Sequence, residues 1–542
     1  MKEFTRGAAA LLSLLPIGAV AQRYNVVYIM TDDHTAQMMS SYDRSHIVTP
    51  NLDRIARNGV RFTQSYVANS LSGPSRACMI TGKHSHNNGF TNNEHGVFDG
   101  SQQTMPKLMR QAGYQTALIG KWHLVSEPTG FDYWTVIPGQ GDYYNPDFIR
   151  MDGSQVTEKG YLTNLITDKA IDWLENGRDK QQPFLLLVHH KACHRDWLPE
   201  LKYLREYEDR TFALPSTFYD DFDGRQAAQE QEMHIAKDMD LVYDNKFYAP
   251  GEQTRLSDLY QSLVTRLDGK DQLAYSYFYD SISVDFHNRF PDYRELQQEL
   301  STKKPSQYSQ RARMLAEYKY QRYMRDYAKV VKSLDDNVGR LLDYLDSRGL
   351  SDSTLIVYTS DQGFYMGEHG WFDKRFMYQE SFATPLVMQL PRAIAKERAA
   401  RLHDRGDDGL VHEMVQNIDS APTFLELAGA KVPADIDGVS LVPLLKGEHP
   451  KDWRKTLYYH YYEYPAEHSV KRHYGVFDGR YKLIHFYQDI DQWELYDLEA
   501  DPHELHNIYN APGTQKTTKR LRKELKRLQQ QYRDPILNQF PL

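Results

Sequence analysis

Four short apolar runs, each cut off abruptly by polar and charged residues, constrain the fold of this 542-residue chain more than any other feature. Val26-Val27-Tyr28-Ile29-Met30 runs into Thr31-Asp32-Asp33, and Thr116-Ala117-Leu118-Ile119-Gly120 runs into Lys121-Trp122-His123. Phe184-Leu185-Leu186-Leu187-Val188 ends in His189-His190-Lys191-Ala192-Cys193-His194, and Thr354-Leu355-Ile356-Val357-Tyr358 ends in Thr359-Ser360-Asp361-Gln362-Gly363. A strand with one wet face alternates apolar and polar residues. Continuous aliphatic runs instead fit strands covered on both faces, as in a mainly parallel sheet. In open α/β sheets ligands bind beyond the carboxyl ends of the strands. The four polar clusters therefore predict one site assembled from residues far apart in sequence.

Helical patterns lie between the runs. Leu52 to Ala56 and Met105 to Gly113 are short amphipathic stretches. Val331, Leu334, Val338, Leu341, Leu342 and Leu345 share a helical face that ends at Gly349, which predicts a crossover helix before the fourth strand. Residues 197–313 are polar and rich in Tyr, Gln and Asp, and read as a mostly helical insertion on the rim. After Pro433 the runs Thr456 to Tyr462, Tyr474 to Phe477, Tyr481 to Phe486 and Trp493 to Tyr496 predict a small antiparallel sheet. Leu521, Leu525, Leu528 and Tyr532 mark a terminal amphipathic helix. The expected architecture is α/β over residues 22–435, a large mostly parallel or mixed sheet flanked by helices. A smaller C-terminal α+β subdomain with an antiparallel sheet follows over residues 436–542.

Residues 1–21 read as a cleavable export signal: Lys2 and Arg6, an apolar stretch from Ala8 to Ile17, then Ala19-Val20-Ala21. That stretch is too short to span a bilayer and no later run approaches the needed length, so the expected location is the periplasm, with no membrane span. A net charge of −8 leaves no excess of Lys and Arg to neutralise nucleic-acid phosphates. The two cysteines, Cys78 and Cys193, allow at most one disulfide.

Ser72-Gly73-Pro74-Ser75-Arg76-Ala77-Cys78-Met79-Ile80-Thr81-Gly82-Lys83 carries the chemistry. A proline preset for a first helical turn predicts a helix start near Pro74, with Ser72 among unpaired backbone N–H groups at the positive end of the dipole. Arg76 adds a cation. Asp32, Asp33, Asp361 and Gln362 offer only oxygen ligands, which suit a hard cation such as Ca²⁺ rather than zinc.

The Ser72 stretch resembles the signature of the type I sulfatases, (Cys/Ser)-x-Pro-Ser-Arg-x-x-x-(Leu/Met/Ile)-Thr-Gly-(Arg/Lys), at every defined position, within the alkaline-phosphatase-like superfamily. The resemblance continues through Thr49-Pro50-Asn51-Leu52-Asp53, Gly367-Glu368-His369-Gly370 and Asp437-Gly438-Val439-Ser440-Leu441, and is weakest over 197–313. It implies that a maturase oxidises Ser72 to formylglycine (3-oxoalanine). It also implies that Asp32, Asp33, Asp361, Gln362 and residue 72 hold one Ca²⁺, and that Arg76, Lys121, His123, His194 and Lys374 form the sulfate site. In the implied mechanism a hydroxyl of the hydrated aldehyde attacks sulfur, His194 with Lys374 protonates the departing sugar oxygen, and His123 takes the second proton.

Ser360 to Met388 and Tyr458 to Tyr474 look most like bacterial exo-acting N-acetylglucosamine-6-sulfatases, which act on heparan sulfate or mucin-type glycans; the implied partner is a sulfated glycan. Tyr458, Tyr459, Tyr461, Tyr462, Tyr464 and Tyr474 offer stacking faces or sheet core, and Arg375, His468, Arg472 and His473 are candidate sugar-hydroxyl partners. The rival readings are a sulfatase of other specificity, such as galactose-6-sulfate, a two-zinc phosphomonoesterase or phosphodiesterase using unmodified Ser72, and a non-catalytic glycan-binding protein. The oxygen-only ligand set and the complete signature argue against the last two.

Overall fold

The computed structural model describes residues 23–247, 266–403 and 406–540. The expected export signal lies outside them. Among the described residues ten strands form one sheet, ordered across it Leu410–Val411, Gly59–Phe62, Leu386–Gln389, Thr354–Ser360, Asn25–Thr31, Phe184–His189, Gln115–Lys121, Tyr133–Ile137, Asp147–Arg150 and Gln155–Thr157. The five strands from Thr354–Ser360 to Tyr133–Ile137 run parallel. Leu386–Gln389 and Asp147–Arg150 pair antiparallel at its flanks, so the sheet is mixed, as expected.

Register brings the apolar runs to one level. Ile29 lies opposite both Val188 and Tyr358, and Ile119 opposite Val188. Val27, Ile29, Leu186 and Val188 face one core layer, while Val26, Tyr28, Leu185 and Leu187 face another. Both faces are buried, which is why these strands do not alternate. Their polar ends consequently emerge together along one edge.

The helix before the Thr354 strand spans Gln310–Ser347, with Ser309 capping it by accepting from the Ala312 N–H at 3.1 Å. At 38 residues it is about 57 Å long. The apolar face read from sequence covers only its C-terminal half. The N-terminal half buries Lys319, Arg322, Asp326 and Lys329, whose charges hide the helix from a hydrophobic pattern. Arg322 and Lys329 pair with Glu208 and Asp326.

Of the mostly helical insertion expected over 197–313, residues 248–265 lie outside the described residues. Between 197 and 247 the chain is mainly turns around short helices, and regular helices follow at Gly269–Arg289 and Tyr293–Thr302. Trp197, Phe218 and Phe222 are buried in the cores, because scattered aromatics anchor a segment whose average composition is polar.

A second sheet runs in sequence order through Leu457–Tyr461, His473–Phe477, Tyr481–Phe486 and Gln492–Asp497, all antiparallel. Tyr458, Tyr474, Leu483 and Leu495 on one face meet Leu521, Leu525 and Leu528 of the helix Gln515–Gln531. Tyr459, Tyr461, Ile484 and Phe486 on the other face pack on Trp371, Phe376 and Tyr378. Of the two readings of these tyrosines, sheet core holds for Tyr458, Tyr459, Tyr461 and Tyr474, which are covered on both sides. Cys78 and Cys193 are separate buried thiols. Among the described residues no helix is long and apolar enough to cross a membrane.

Candidate active site

The helix Ser72–Thr81 starts at Ser72 itself, after an extended Leu71, two residues earlier than Pro74 suggested. Pro74 is the third helical residue, still among the first four whose N–H groups have no helical partner. Ser72 therefore sits at the positive end of the helix dipole, buried, and its Oγ donates to Asp32 Oδ1 at 3.1 Å. Asp32 and Asp33 leave the Asn25–Thr31 strand, while Asp361 and Gln362 leave its neighbour Thr354–Ser360. Parallel pairing of Thr31 with Ser360 sets the two pairs side by side. The Asp33 N–H donates to Asp361 Oδ1 at 3.2 Å, and Gln362 Nε2 donates to Asp33 Oδ1.

Two buried oxygens of this group, Asp33 Oδ2 and Gln362 Oε1, have no hydrogen-bond partner among the described residues. Burial together with the Asp32 and Asp361 charges outweighs Lys374 and pushes the Asp33 carboxyl up to about 8. Burial and Asp32 raise Asp361 to about 6. Burial acts the same way on Asp32, but Lys121, His194 and Arg76 outweigh it and hold that carboxyl well below the usual range. Three crowded carboxylates and an orphaned amide oxygen fit a hard divalent cation, which would keep all three ionised.

Cations ring the same point. Lys121, last residue of the Gln115–Lys121 strand, donates to Asp32 Oδ2 and to Gln140 Oε1. Lys374 Nζ lies 2.5 Å from Asp33 Oδ1 and 3.4 Å from Ser72 Oγ. Arg76 donates twice to Asp361 Oδ2, at 3.1 and 2.9 Å, and once to the Lys121 carbonyl at 2.9 Å. His194 Nε2 is 3.9 Å from Asp33 Oδ2, its Nδ1 donating to the Arg195 carbonyl at 2.6 Å. His123 Nε2 accepts from Gln140 Nε2 at 3.2 Å. Burial and then Lys121 hold His123 and His194 well below the ordinary imidazole value, so both are neutral bases near pH 7. Burial opposes the Lys374 charge, yet Asp33 and Asp373 raise its pKa above the ordinary lysine value.

The backbone is unusual where these groups gather. Asp33, His123, Asp373, Arg375 and His468 all adopt left-handed φ, from 57° to 99°. Non-glycine residues pay a steric penalty there, and such residues concentrate where surrounding structure fixes them at functional sites.

Of the four candidate sugar contacts, two converge beside Lys374. Arg375 Nε and His468 Nε2 each lie 3.4 Å from a carboxylate oxygen of Asp373. The other two do not join them. Arg472 pairs with Asp489 at 3.0 Å and donates to the Tyr462 and Tyr464 carbonyls. His473 is buried in the small sheet, with Nε2 accepting from the Met377 N–H at 3.1 Å and Nδ1 donating to the Lys471 carbonyl at 2.8 Å. Both side chains are consumed in holding the sheet. His189 and His190 are likewise buried.

Two residues escaped the sequence reading. Asp373 lies within Trp-Phe-Asp-Lys-Arg, next to the lysine that was singled out. Gln140 touches both Lys121 and His123, and its only sequence signal is its pair of flanking glycines, Gly139 and Gly141, both left-handed.

A helix-end hydroxyl, an oxygen-only ligand pocket and fixed cations at the carboxyl edge of a mixed sheet define a hydrolase site for an anionic ester. The chain belongs to the sulfatase family, whose profile matches residues 24–430; that of the N-sulphoglucosamine sulphohydrolase C-terminal region matches residues 367–531. The family is formylglycine-dependent and metal-binding. The N-acetylglucosamine-6-O-sulfatase of Bacteroides thetaiotaomicron is 48% identical over 95% of this chain and 87% of its own length. A solved structure in complex with its substrate D-glucosamine-2-N,6-O-disulfate superposes with a TM-score of 0.85 at 47% identity, covering 95% of this chain and 99% of that one. A phosphonate monoester hydrolase from Silicibacter pomeroyi, 20% identical with a TM-score of 0.64 over 95% and 97% of the two chains, shares the fold.

Proposed function

We propose that this protein is an exo-acting carbohydrate sulfatase that hydrolyses the 6-O-sulfate of N-acetylglucosamine in heparan sulfate or mucin-type glycan fragments. The observation that carries this reading is the meeting of Ser72, the four oxygen ligands and three fixed cations at one point. The 48% identical relative points it to this sugar.

Asp32, Asp33, Asp361, Gln362 and residue 72 would hold one Ca²⁺, which would supply Lewis acidity at the oxygen of residue 72. Ser72 is the residue that would carry formylglycine, which would supply the nucleophilic hydroxyl and a second hydroxyl for release of sulfate. The protein's own groups do the rest. Asp32 orients the oxygen at position 72. Lys121, Arg76 and Lys374, held in place by carboxylates around residue 72, would stabilise charge on the sulfate oxygens, and such electrostatic terms are usually the largest in catalysis. A sulfate ester brings negative charge to His194 and favours its protonated form, so His194 with Lys374 delivers a proton to the departing sugar oxygen. Neutral His123 accepts the proton of the second hydroxyl. Arg375 and His468, gathered at Asp373 beside Lys374, are the groups proposed to meet sugar hydroxyls.

Export through residues 1–21 to the periplasm, maturation by a formylglycine-generating enzyme, and the division into residues 22–435 and 436–542 belong to the same reading. The test is sulfate release from a panel of sulfated monosaccharides by protein coexpressed with the maturase. Turnover of 6-sulfated N-acetylglucosamine above the others is expected; preference for galactose-6-sulfate would move the assignment to that sugar.

A further inference from the structure

The small sheet divides two surfaces. Its inner face packs on the loop that carries Lys374, and its outer face is covered by the helix Gln515–Gln531. That helix carries seven basic side chains and one acidic one, Glu524, in a chain whose net charge is −8. Such a reversal of local sign is the electrostatic footprint of an anionic partner.

The basic residues divide by their partners. Arg520 pairs with Asp478 at 2.6 Å and Arg527 with Glu524 at 2.7 Å, so both are neutralised within the protein. Lys519, Lys523 and Lys526 are exposed and, among the described residues, have no acidic partner. Their spacing of four and then three residues puts them on one helical face, about 10 Å from end to end.

This face is one wall of a groove of about 590 Å³, and none of the described residues lining it is acidic. Tyr509 and Asn510, outside the helix, also line it. The Tyr509 ring stacks on Trp493 at 5.7 Å, and the Arg522 guanidinium lies over the other partner of that stack, 4.7 Å from the Trp493 centroid. Arg522 is thereby fixed in the groove with N–H donors to spare. Cations for acidic groups, an aromatic edge for a sugar ring and an amide for hydroxyls form a combination suited to a charged saccharide.

We propose that this groove is a second binding site, for a sulfated polysaccharide chain, on the opposite side of the small sheet from the reacting centre. It would hold the polymer while the pocket at Ser72 acts on a terminal sugar. The inference rests on the sulfated-glycan reading given under Proposed function.

The test uses the matured full-length enzyme, a Lys519→Gln/Lys523→Gln/Lys526→Gln triple variant, and an Arg520→Gln/Arg527→Gln double variant as a charge control. Affinity for heparin is measured by calorimetry at low and raised salt, beside turnover of 6-sulfated N-acetylglucosamine. The triple variant should lose about tenfold in heparin affinity, with wild-type turnover, and the double variant should lose much less. Wild-type binding should weaken with salt. Absent heparin binding in an enzyme that still turns over the monosaccharide would overturn this site alone. Binding that falls in the triple variant, in a protein that turns over no sulfated sugar, would leave the groove standing and refute the assigned activity. Equal losses in both variants, or equally tight binding of duplex DNA or anionic vesicles, would reduce the groove to a general polyanion patch and refute the proposal.

Discussion

Replacing Lys374 by methionine removes one charge from the pocket while keeping most of the side-chain volume. Lys374 is buried, 2.5 Å from Asp33 Oδ1 and 3.4 Å from Ser72 Oγ, so water cannot replace its ammonium group cheaply. As a preorganised donor at the reacting oxygens it is worth about 100- to 1000-fold in kcat, roughly 2.7–4 kcal/mol. Its loss also leaves Asp33 beside Asp32 and Asp361 without its lysine, and breaking a buried pair costs about 3–5 kcal/mol. A bound divalent ion should offset much of the second cost and little of the first. The assay is steady-state kinetics on a 6-sulfated sugar with saturating Ca²⁺, together with thermal unfolding with and without the ion. Loss of kcat with a Ca²⁺-rescued melting temperature is expected. A variant within about threefold of wild-type kcat would show that Lys374 takes no part in the charge redistribution and would refute the reasoning.

Chelation should abolish turnover and lower the melting temperature, with Ca²⁺ restoring both and Zn²⁺ neither; an ion at 100 times its Kd adds about 2.7 kcal/mol. Trp371→Ala should cost about 3–5 kcal/mol in denaturant unfolding, because the indole is fully buried between Phe222 at 5.1 Å and Phe376 at 5.0 Å. Asp220 governs part of the acid limb: burial would raise its pKa, but His369 and Arg225 outweigh that and lower it to about 2. A depressed carboxyl contributes stability above its unfolded value, near 4, and loses it as pH falls toward 2; the contribution is roughly 2 kcal/mol. Asp220→Asn should therefore flatten unfolding free energy over that window, and an unchanged slope would remove Asp220 from the account.

The strands were legible because burial on both faces leaves an unbroken aliphatic run, and their polar ends were legible because parallel register aligns them. Ser72 was legible through its local pattern alone. Gln140 was not, because its role depends on a loop that folds back onto Lys121 and His123 at the end of another strand. The N-terminal half of the long helix was hidden for a different reason. Buried ion pairs among Arg322, Asp326, Lys329 and Glu208 look, in one dimension, like a solvated surface. His473 and Arg472 misled in the opposite sense: polar residues in a tyrosine-rich stretch resemble ligand contacts, but His473 is held inside the sheet and Arg472 by Asp489 and two backbone carbonyls.

The whole account depends on chemical conversion of one side chain, so the most direct measurement is the mass of the peptide carrying residue 72, taken from active enzyme. Serine oxidised to formylglycine is lighter by two hydrogens, and specific activity should rise in proportion to the converted fraction, reaching zero in Ser72→Ala. Full sulfatase activity in protein whose Ser72 is entirely unconverted would contradict it.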